Sequence, residues 1–252
     1  MHFVRLLAAA SLTAGLLLAA PVRAEQPLDR SAVEAIIKEY LVSHPEVIEE
    51  AINELQARRA SAESERQKKA VSENHEAIVD ATQNVVLGNP TGKVTLVEFF
   101  DYNCGYCKRG LADILTLLET DKDIKIVLKD YPILSPGSIE AATVAMGVKQ
   151  QLKGEKFLDF HKALLLSRGP VGKDRALEVA KESGVDMAKL ETAIAGTQLR
   201  TALADNLKLG DALGISGTPS YVLGEEVVGG AVGYDALRKK VEAVRKCGQT
   251  AC

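Results

Sequence analysis

The sequence predicts an α/β fold that is interrupted by a long all-helical insertion and preceded by a helical segment. Two β-rich runs, at 93–100 and 123–132, flank a helical pattern, and this order implies a parallel strand pair with a crossover helix. Residues 138–213 then show only helical patterns, and strand-like runs return at 220–224 and 226–230. One small sheet with an inserted helical subdomain accounts for all three observations.

The composition is that of an ordinary globular protein. The chain has 252 residues, of which 46% are hydrophobic and 26% are charged, which is enough for one sizeable core and an appendage. Its formal net charge of -3 argues against a general nucleic-acid-binding protein. The sequence contains no P-loop and no glycine-rich dinucleotide motif, so we expect no bound cofactor.

The first 24 residues have the layout of a secretory signal peptide. Arg5 precedes an apolar stretch from Leu6 to Ala20, and small residues frame a cleavage site after Ala24. The alternative is a membrane anchor, but the stretch is shorter than the roughly 20 residues that span a bilayer. We therefore expect cleavage after Ala24 and export to the periplasm.

Residues 28–56 read as two short amphipathic helices separated by a proline. Apolar residues recur at helical spacing in both, and each helix has a candidate capping box, Ser31 with Glu34 and Ser43 with Glu46. Helices this small cannot bury their apolar stripes alone. The stripes therefore pack either on the main domain or against copies of themselves.

The segment that follows favours the second alternative. Residues 56–70 contain no Val, Ile, Leu, Met or aromatic residue and are rich in good helix formers. Such a run suits a solvated, semi-rigid spacer that holds the first helices away from the main domain. We predict a homo-oligomerisation segment at 25–60, a helical linker at 61–83 and the main domain at 84–252.

The four cysteines of the exported chain come as two local pairs. Cys104 and Cys107 lie at the junction between a predicted strand and a predicted helix, whereas Cys247 and Cys252 close a six-residue loop at the C-terminus. A shared zinc site would need the fold to join pairs that are about 140 residues apart. Redox chemistry and structural disulfides are the stronger interpretations in an oxidising compartment.

The two pairs call for different interpretations. At a helix N-terminus, Cys104 meets free backbone N–H groups that favour its thiolate, so we expect it to be exposed, acidic and nucleophilic, with Cys107 as the buried resolving partner. Thiol exchange needs this asymmetry. We interpret Cys247 and Cys252 as a structural disulfide that contributes about 2 kcal/mol. A second redox shuttle or a metal-binding tail remains open for that pair.

Three stretches carry a resemblance to a known family. "EFFDYNCGYC" at 98–107, "GTPSYVLG" at 217–224 and "GGAVGYDAL" at 229–237 resemble the thioredoxin-fold proteins of the DsbA type. The resemblance covers about two-thirds of the sequence. It implies a thioredoxin fold with an inserted helical subdomain, here at about 138–213.

The resemblance also implies roles for individual residues. Cys104 and Cys107 match the redox pair, and Thr218-Pro219 matches a Thr–cis-Pro that faces the dithiol and binds substrate. Glu98 matches an acid buried beneath the active site that relays protons to the resolving thiol. The alternative for Glu98 is a partly exposed strand residue.

The two residues between the redox cysteines indicate a subgroup. Gly105 and Tyr106 stand where the strongest oxidants of the family have Pro and His, and they resemble the pair of periplasmic disulfide isomerases and ScsC-type proteins. ScsC-type proteins can also carry an N-terminal oligomerisation segment. We expect Gly105 and Tyr106 to contribute to substrate binding.

The sequence thus predicts a periplasmic thiol:disulfide oxidoreductase, with isomerase activity favoured. Unfolded or misfolded exported proteins would be its substrates and a membrane redox partner would set its redox state, without nucleic acid or a resident metal. The alternatives are a non-catalytic chaperone or scaffold and a Cu(I)-handling thiol protein. Titration of the dithiol with and without copper would separate these hypotheses.

Overall fold

The computed structural model describes residues 29–252. The predicted signal peptide and its cleavage site lie outside the described residues. The chain divides into two compact units, the first ending at Gln56 and the second running from Ala57 to Cys252. None of the helices within the described residues is long and apolar enough to cross a membrane.

The first unit consists of α1 (Arg30–Ser43) and the start of α2 (Glu46–Glu73). The predicted capping boxes do not form. Ser31 lies inside α1 and bonds to Asp29, which is the N-cap residue, while the Ser43 hydroxyl bonds back to the Glu39 carbonyl. A serine hydroxyl can bond to a nearby backbone or side-chain group instead of capping a helix. A serine followed three residues later by Glu therefore does not establish a capping box on its own. Seven large apolar side chains of the unit are exposed: Ile36, Ile37, Tyr40, Val42, Ile48, Ile52 and Leu55.

The polar run at 56–70 is helical, as the sequence predicts, because it lies within α2. The fold of the second unit nevertheless starts before residue 84, where the sequence suggests that the domain begins. Val71 near the end of α2 and Ile78 in α3 (His75–Val79) are each only 2% exposed, and both join the core. Between Leu55 and Ile78, Val71 is the only Val, Ile, Leu, Met or aromatic residue in the sequence, so no periodicity marks the start of the core.

The second unit is built around a five-stranded sheet with the order β1-β3-β2-β4-β5. Its central strands β2 and β3 are parallel, as predicted, and the remaining neighbours pair antiparallel. The helix α4 (Gly105–Thr120) makes the crossover between β2 and β3. The strands are β1 (Val85–Gly88), β2 (Val94–Phe100), β3 (Ile124–Asp130), β4 (Ser220–Leu223) and β5 (Glu226–Gly229).

The core occupies both faces of the sheet. Alternate residues of β2 point to opposite sides, so Leu96 and Phe100 join the cluster that contains α4, while Val97 and Phe99 join the cluster on the other face. The continuous apolar run of β2 is therefore that of a central strand covered on both sides. This places the C-terminal end of β2, and the cysteines that follow it, at the edge of a rigid core.

The helical insertion has five helices. They are α5 (Pro136–Val148), α6 (Gly154–Leu165), α7 (Lys173–Glu182), α8 (Met187–Ala195) and α9 (Gln198–Ala212). Ser135 caps α5 with its hydroxyl on the Ser138 N–H, and Pro136 occupies the first helical position, where its missing N–H costs nothing.

The chain ends with α10 (Tyr234–Cys247) and a short tail. Gly248 follows the helix with φ 79°, a left-handed conformation that glycine adopts freely and that commonly terminates helices. The turn brings Cys252 back to Cys247, and the two form a disulfide. The predicted pairing is thus present, while its role as a structural staple remains a prediction.

Candidate active site

Cys104 is the N-cap residue of α4, as its position in the sequence predicts. Its sulfur accepts a hydrogen bond from the Cys107 N–H at 3.3 Å and lies 3.1 Å from the Thr218 carbonyl oxygen, to which it donates only while it is protonated. The expectation of an exposed thiol is wrong, since Cys104 is only 4% exposed. The chain at Thr218, distant in sequence, packs against the sulfur and covers it.

The surroundings of Cys104 favour its thiolate. They lower the pKa of the thiol to about 5, mainly through the hydrogen bond from the Cys107 side chain, with further contributions from Thr218 and from the N–H groups of Cys107 and Tyr106. Burial acts in the opposite direction but is the weaker influence. Cys104 is therefore ionised at neutral pH, as a nucleophilic thiol must be.

Cys107 has the opposite character. It lies one turn inside α4, is 0% exposed, and burial together with the Cys104 and Glu98 side chains raises the pKa of its thiol. Both cysteines are free thiols in the structure. One acidic and one neutral thiol thus lie side by side, which is the asymmetry expected from the sequence.

Thr218 and Pro219 form the opposite wall of the site. Their peptide bond is cis, as expected from the resemblance, and the Thr218 carbonyl contacts the Cys104 sulfur. The Thr218 hydroxyl is buried and, among the described residues, has no hydrogen-bond partner. A further donor therefore lies ready beside the reactive sulfur.

Glu98 is buried beneath α4, so the alternative of a partly exposed strand residue is wrong. It is 4% exposed and pairs with Tyr221 across the β2–β4 ladder, on the face that α4 covers. Burial, then the charges of Cys104 and Asp113, raise its pKa to about 8. Near neutral pH this carboxyl group can both accept and release a proton.

Gly105 and Tyr106 form the exposed lip of the site. A carbon added at Gly105 would meet no atom within 4 Å, so the space above the first turn of α4 is open. Tyr106 is 60% exposed, and the Arg109 guanidinium lies 4.0 Å from the centre of its ring. This cation–π contact orients an aromatic surface next to the reactive cysteine.

The three residues before Cys104 hold the active-site loop on the inserted helices. Asp101 accepts hydrogen bonds from the Asn103 and Leu134 N–H groups, and the Tyr102 hydroxyl meets the ring of His161 in α6. None of these three residues is predicted from the sequence as part of the site. Their signal was the polar "DYN" directly after an apolar strand, a position where side chains commonly bond to a loop.

Asn103 makes the most extensive of these connections. Its side-chain amide donates to the Ser138 hydroxyl and the Val171 carbonyl, and its oxygen accepts from the Val171 N–H at 2.7 Å. One residue thus joins the active-site loop to α5 and to the loop before α7. The insertion therefore fixes the position of the cysteine that follows.

Comparison with protein-family models identifies the chain. A model described as "Thioredoxin" matches residues 80–243, more than half of the chain. The protein belongs to the thioredoxin family. A second model, described as "Copper resistance protein ScsC N-terminal domain", matches residues 29–62 in the first unit. The fold expected from the resemblance, including the preceding N-terminal segment, is therefore confirmed.

Solved structures of thioredoxin-like oxidoreductases are similar to this chain. One from Silicibacter pomeroyi is 36% identical with a TM-score of 0.65, covering 69% of this chain and 99% of that one. The thiol-disulfide exchange protein alpha-DsbA2 from Wolbachia pipientis is 32% identical, with a TM-score of 0.67 and coverages of 73% and 98%. A linker-deletion mutant of ScsC from Proteus mirabilis is 28% identical, with a TM-score of 0.67 and coverages of 88% and 98%.

The curated relatives are less uniform. A Na(+)/H(+) antiporter from Salinispora arenicola is 25% identical to this chain in the matched region. The match covers 65% of this chain but only 25% of the antiporter. The chain thus corresponds to about a quarter of that relative's length. "Disulfide bond formation protein D" from Bacillus subtilis is 26% identical, with coverages of 62% and 75%. The names of this relative and of alpha-DsbA2 describe disulfide bond formation and thiol-disulfide exchange.

Proposed function

We propose that the protein is an exported thiol:disulfide oxidoreductase that exchanges disulfides with other exported proteins through the dithiol of its CGYC motif. The observation that carries the proposal is the pairing of an acidic thiol, Cys104, with a fully buried neutral thiol, Cys107. A disulfide that only stabilised the fold would not need two thiols of different acidity.

The exchange takes place in two steps. The Cys104 thiolate attacks one sulfur of a substrate disulfide, a mixed disulfide forms, and the other substrate sulfur leaves as a thiolate. Cys107 then loses its proton to the Glu98 carboxylate and attacks the Cys104 sulfur. This releases the second substrate thiolate and leaves Cys104 and Cys107 oxidised, so one disulfide is broken for each one formed.

Substrate binds along the wall and lip of the site. An extended segment of substrate pairs with the backbone at Thr218 and Pro219, which lies beside the reactive sulfur. Gly105 leaves room for the substrate cysteine, and the exposed Tyr106 ring provides apolar contact. Backbone pairing and apolar contact depend little on the side chains of the substrate. The site would therefore bind misfolded proteins of different sequences.

The N-terminal segment favours isomerase activity. Its exposed apolar residues and its match to the ScsC N-terminal model support homo-oligomerisation through residues 25–60. Several dithiols held around shared space would attack one misfolded protein repeatedly, and this raises the effective concentration of each thiol. A membrane redox partner would return Cys104 and Cys107 to the reduced state that isomerisation requires.

The proposal that the protein is exported rests on the predicted signal peptide at 1–24. The similar structures also include a periplasmic thioredoxin-like protein from Salmonella enterica serovar Typhimurium, which is 27% identical to this chain. Of the predicted linker at 61–83, the part before Val71 would serve as the helical spacer, because Val71 and Ile78 lie in the core. Cys247 and Cys252 would pin the C-terminal tail.

Trapping experiments test the proposal. Cys107→Ser should accumulate mixed disulfides with exported proteins through Cys104, because the resolving thiol is gone, whereas Cys104→Ser should trap none and lose turnover. Cys247→Ser with Cys252→Ser is the matched control and should retain exchange. Full turnover by Cys104→Ser would overturn the proposed function.

A further inference from the structure

The loop between α6 and α7, residues 166–172, is held at both ends by the residues that flank the CGYC motif. Asn103, directly before the motif, exchanges two hydrogen bonds with the backbone of Val171, at 2.7 and 2.8 Å. Lys108, directly after the motif, donates from its ammonium group to the Ser167 carbonyl at 2.8 Å. The two ends of one loop are therefore fixed on the two sides of the dithiol.

The anchor at Lys108 brings the loop to the side of the reactive cysteine. Cys104 and Lys108 are four positions apart, so they share one side of α4. A long side chain on a helix extends over the turn that precedes it, and here that turn begins at Cys104. Ser167 is only 6% exposed, and its hydroxyl accepts a second hydrogen bond from Arg175 at 3.0 Å. This end of the loop is thus firmly held.

The three residues between the two anchors, Arg168, Gly169 and Pro170, are all exposed. Gly169 has φ 74°, a conformation that glycine adopts freely, and the ring of Pro170 fixes its own φ. The turn therefore has few alternative shapes. Arg168 directly follows the anchored Ser167, so the two Cα atoms are about 3.8 Å apart. The three residues form an ordered edge of the active site on the side of the insertion.

The charge at this edge is positive. Lys108 is bonded to the loop carbonyl, and the Arg109 guanidinium lies over the tyrosine ring of the motif. Arg168 makes no hydrogen bond or ion pair with any residue that the structure describes. The acid nearest to the motif on its N-terminal side, Asp101, is 1% exposed and accepts bonds from two backbone N–H groups. Arg168 is therefore a cation that a substrate can reach and pair with.

We propose that Arg168 determines substrate specificity and favours proteins with acidic residues beside the cysteine that Cys104 attacks. The inference rests on the proposed function and names a substrate class for that site. A disulfide holds the Cα atoms of its two cysteines about 5.5–6 Å apart, so the neighbours of the substrate cysteine lie at the edge that carries Arg168. Charges at the margin of an interface act mainly on the rate of association. Backbone pairing admits many sequences, and Arg168 then ranks them by charge.

The test uses two peptides with one cysteine each, held as a disulfide with 2-thiopyridine and flanked on both sides by either Asp or Lys. Attack of the Cys104 thiolate of the reduced full-length protein on the peptide sulfur forms the mixed disulfide and releases 2-thiopyridone, which is measured by absorbance. The ratio of the Asp-peptide rate to the Lys-peptide rate is compared between variants, so the intrinsic reactivity of the peptides cancels. We expect Arg168→Ala to lower this ratio about threefold and Arg168→Glu about tenfold.

Lys156→Glu is the matched control for charge. Lys156 is exposed in the first turn of α6, about 14 Å along the helix from the end that leads into the loop. The substitution changes the net charge by the same two units as Arg168→Glu, and it should keep the wild-type ratio. Salt at about 1 M should bring the wild-type ratio down to that of Arg168→Ala, because it screens exposed charges.

The outcomes separate the inference from the proposed function. Equal ratios in the wild type and Arg168→Glu, with normal exchange of both peptides, would overturn the inference alone. An equal fall of the ratio in Lys156→Glu would also overturn it, since the net charge of the protein would then set the preference. A wild type that formed no mixed disulfide with either peptide would overturn both the proposed function and the inference.

Discussion

At the scale of single residues, the site depends on the contrast between two cysteines three positions apart. The sequence places Cys104 at a helix start, which predicts its acidity correctly. It does not predict that the thiol is covered, because the covering residue, Thr218, lies 114 positions away. Hydrogen bonds that lower a pKa can be local, whereas burial depends on the whole fold.

The acidity of Cys104 has a measurable pH dependence. The rate of alkylation of the reduced protein, followed against pH, should have its midpoint near 5, below the ordinary value of 9. A folded-state pKa below the unfolded value means that the thiolate stabilises the reduced protein fully above pH 9 and that this stabilisation is lost as the pH falls through about 5. A midpoint at or above about 8.5 would contradict the assignment of Cys104 as the nucleophile.

At the scale of helices and strands, periodicity was sufficient to predict most of the fold. The parallel β2–β3 pair, the crossover helix and the five inserted helices all follow from apolar spacing. Helix starts were harder, since Ser31 and Ser43 use their hydroxyls for bonds other than the predicted caps. The sequence does not predict that the core begins as early as Val71, because a single apolar residue shows no periodicity.

The loop before α4 shows how one element positions another. Asn103→Ala should destabilise the protein by about 2–3 kcal/mol, because three hydrogen bonds to the insertion are lost at about 1 kcal/mol each. It should also raise the Cys104 alkylation midpoint, as the loop that presents the helix start loosens. Denaturant unfolding and the alkylation titration measure the two effects.

Asn74→Ala provides the comparison, since the Asn74 side chain makes a single local bond, to the Ala70 carbonyl. This variant should lower the free energy of unfolding by less than Asn103→Ala does, and it should leave the midpoint of Cys104 alkylation unchanged. An equal loss of stability in the two variants would show that the connection to the insertion contributes nothing beyond a local bond.

At the scale of the whole molecule, the two units have different surfaces. The unit from Ala57 to Cys252 has a continuous core on both faces of its sheet, whereas helix α1 of the first unit has no buried residue. The sequence predicted this contrast from the apolar stripes and the polar run that follows them. It could not predict the number of copies, which depends on how the stripes fit one another.

Deleting residues 25–60 should give a monomer with an intact dithiol. Reduction of a simple disulfide needs one active site and should survive, while the shuffling of wrong disulfides in a misfolded protein should fall. Light scattering and the two activity assays measure these effects. The double variant Ile48→Glu, Ile52→Glu should reproduce the result by charging exposed apolar positions, and Glu49→Gln should not.

A full-length protein that is monomeric at working concentration would contradict the role of the segment. In that case, a plain oxidase would be the better assignment than an isomerase.

The contact between Cys104 and Thr218 has a consequence for a chain that is still folding. Before residue 218 packs beside the helix start, Cys104 lacks the contribution of Thr218 to its acidity, and four thiols allow three pairings. Cys247 and Cys252 are separated by five positions and meet often, while Cys104 and Cys107 are far from them along the chain. Thr218 therefore adds its contribution to the acidity of Cys104 only once the fold is in place, whereas the tail cysteines are neighbours in sequence from the start.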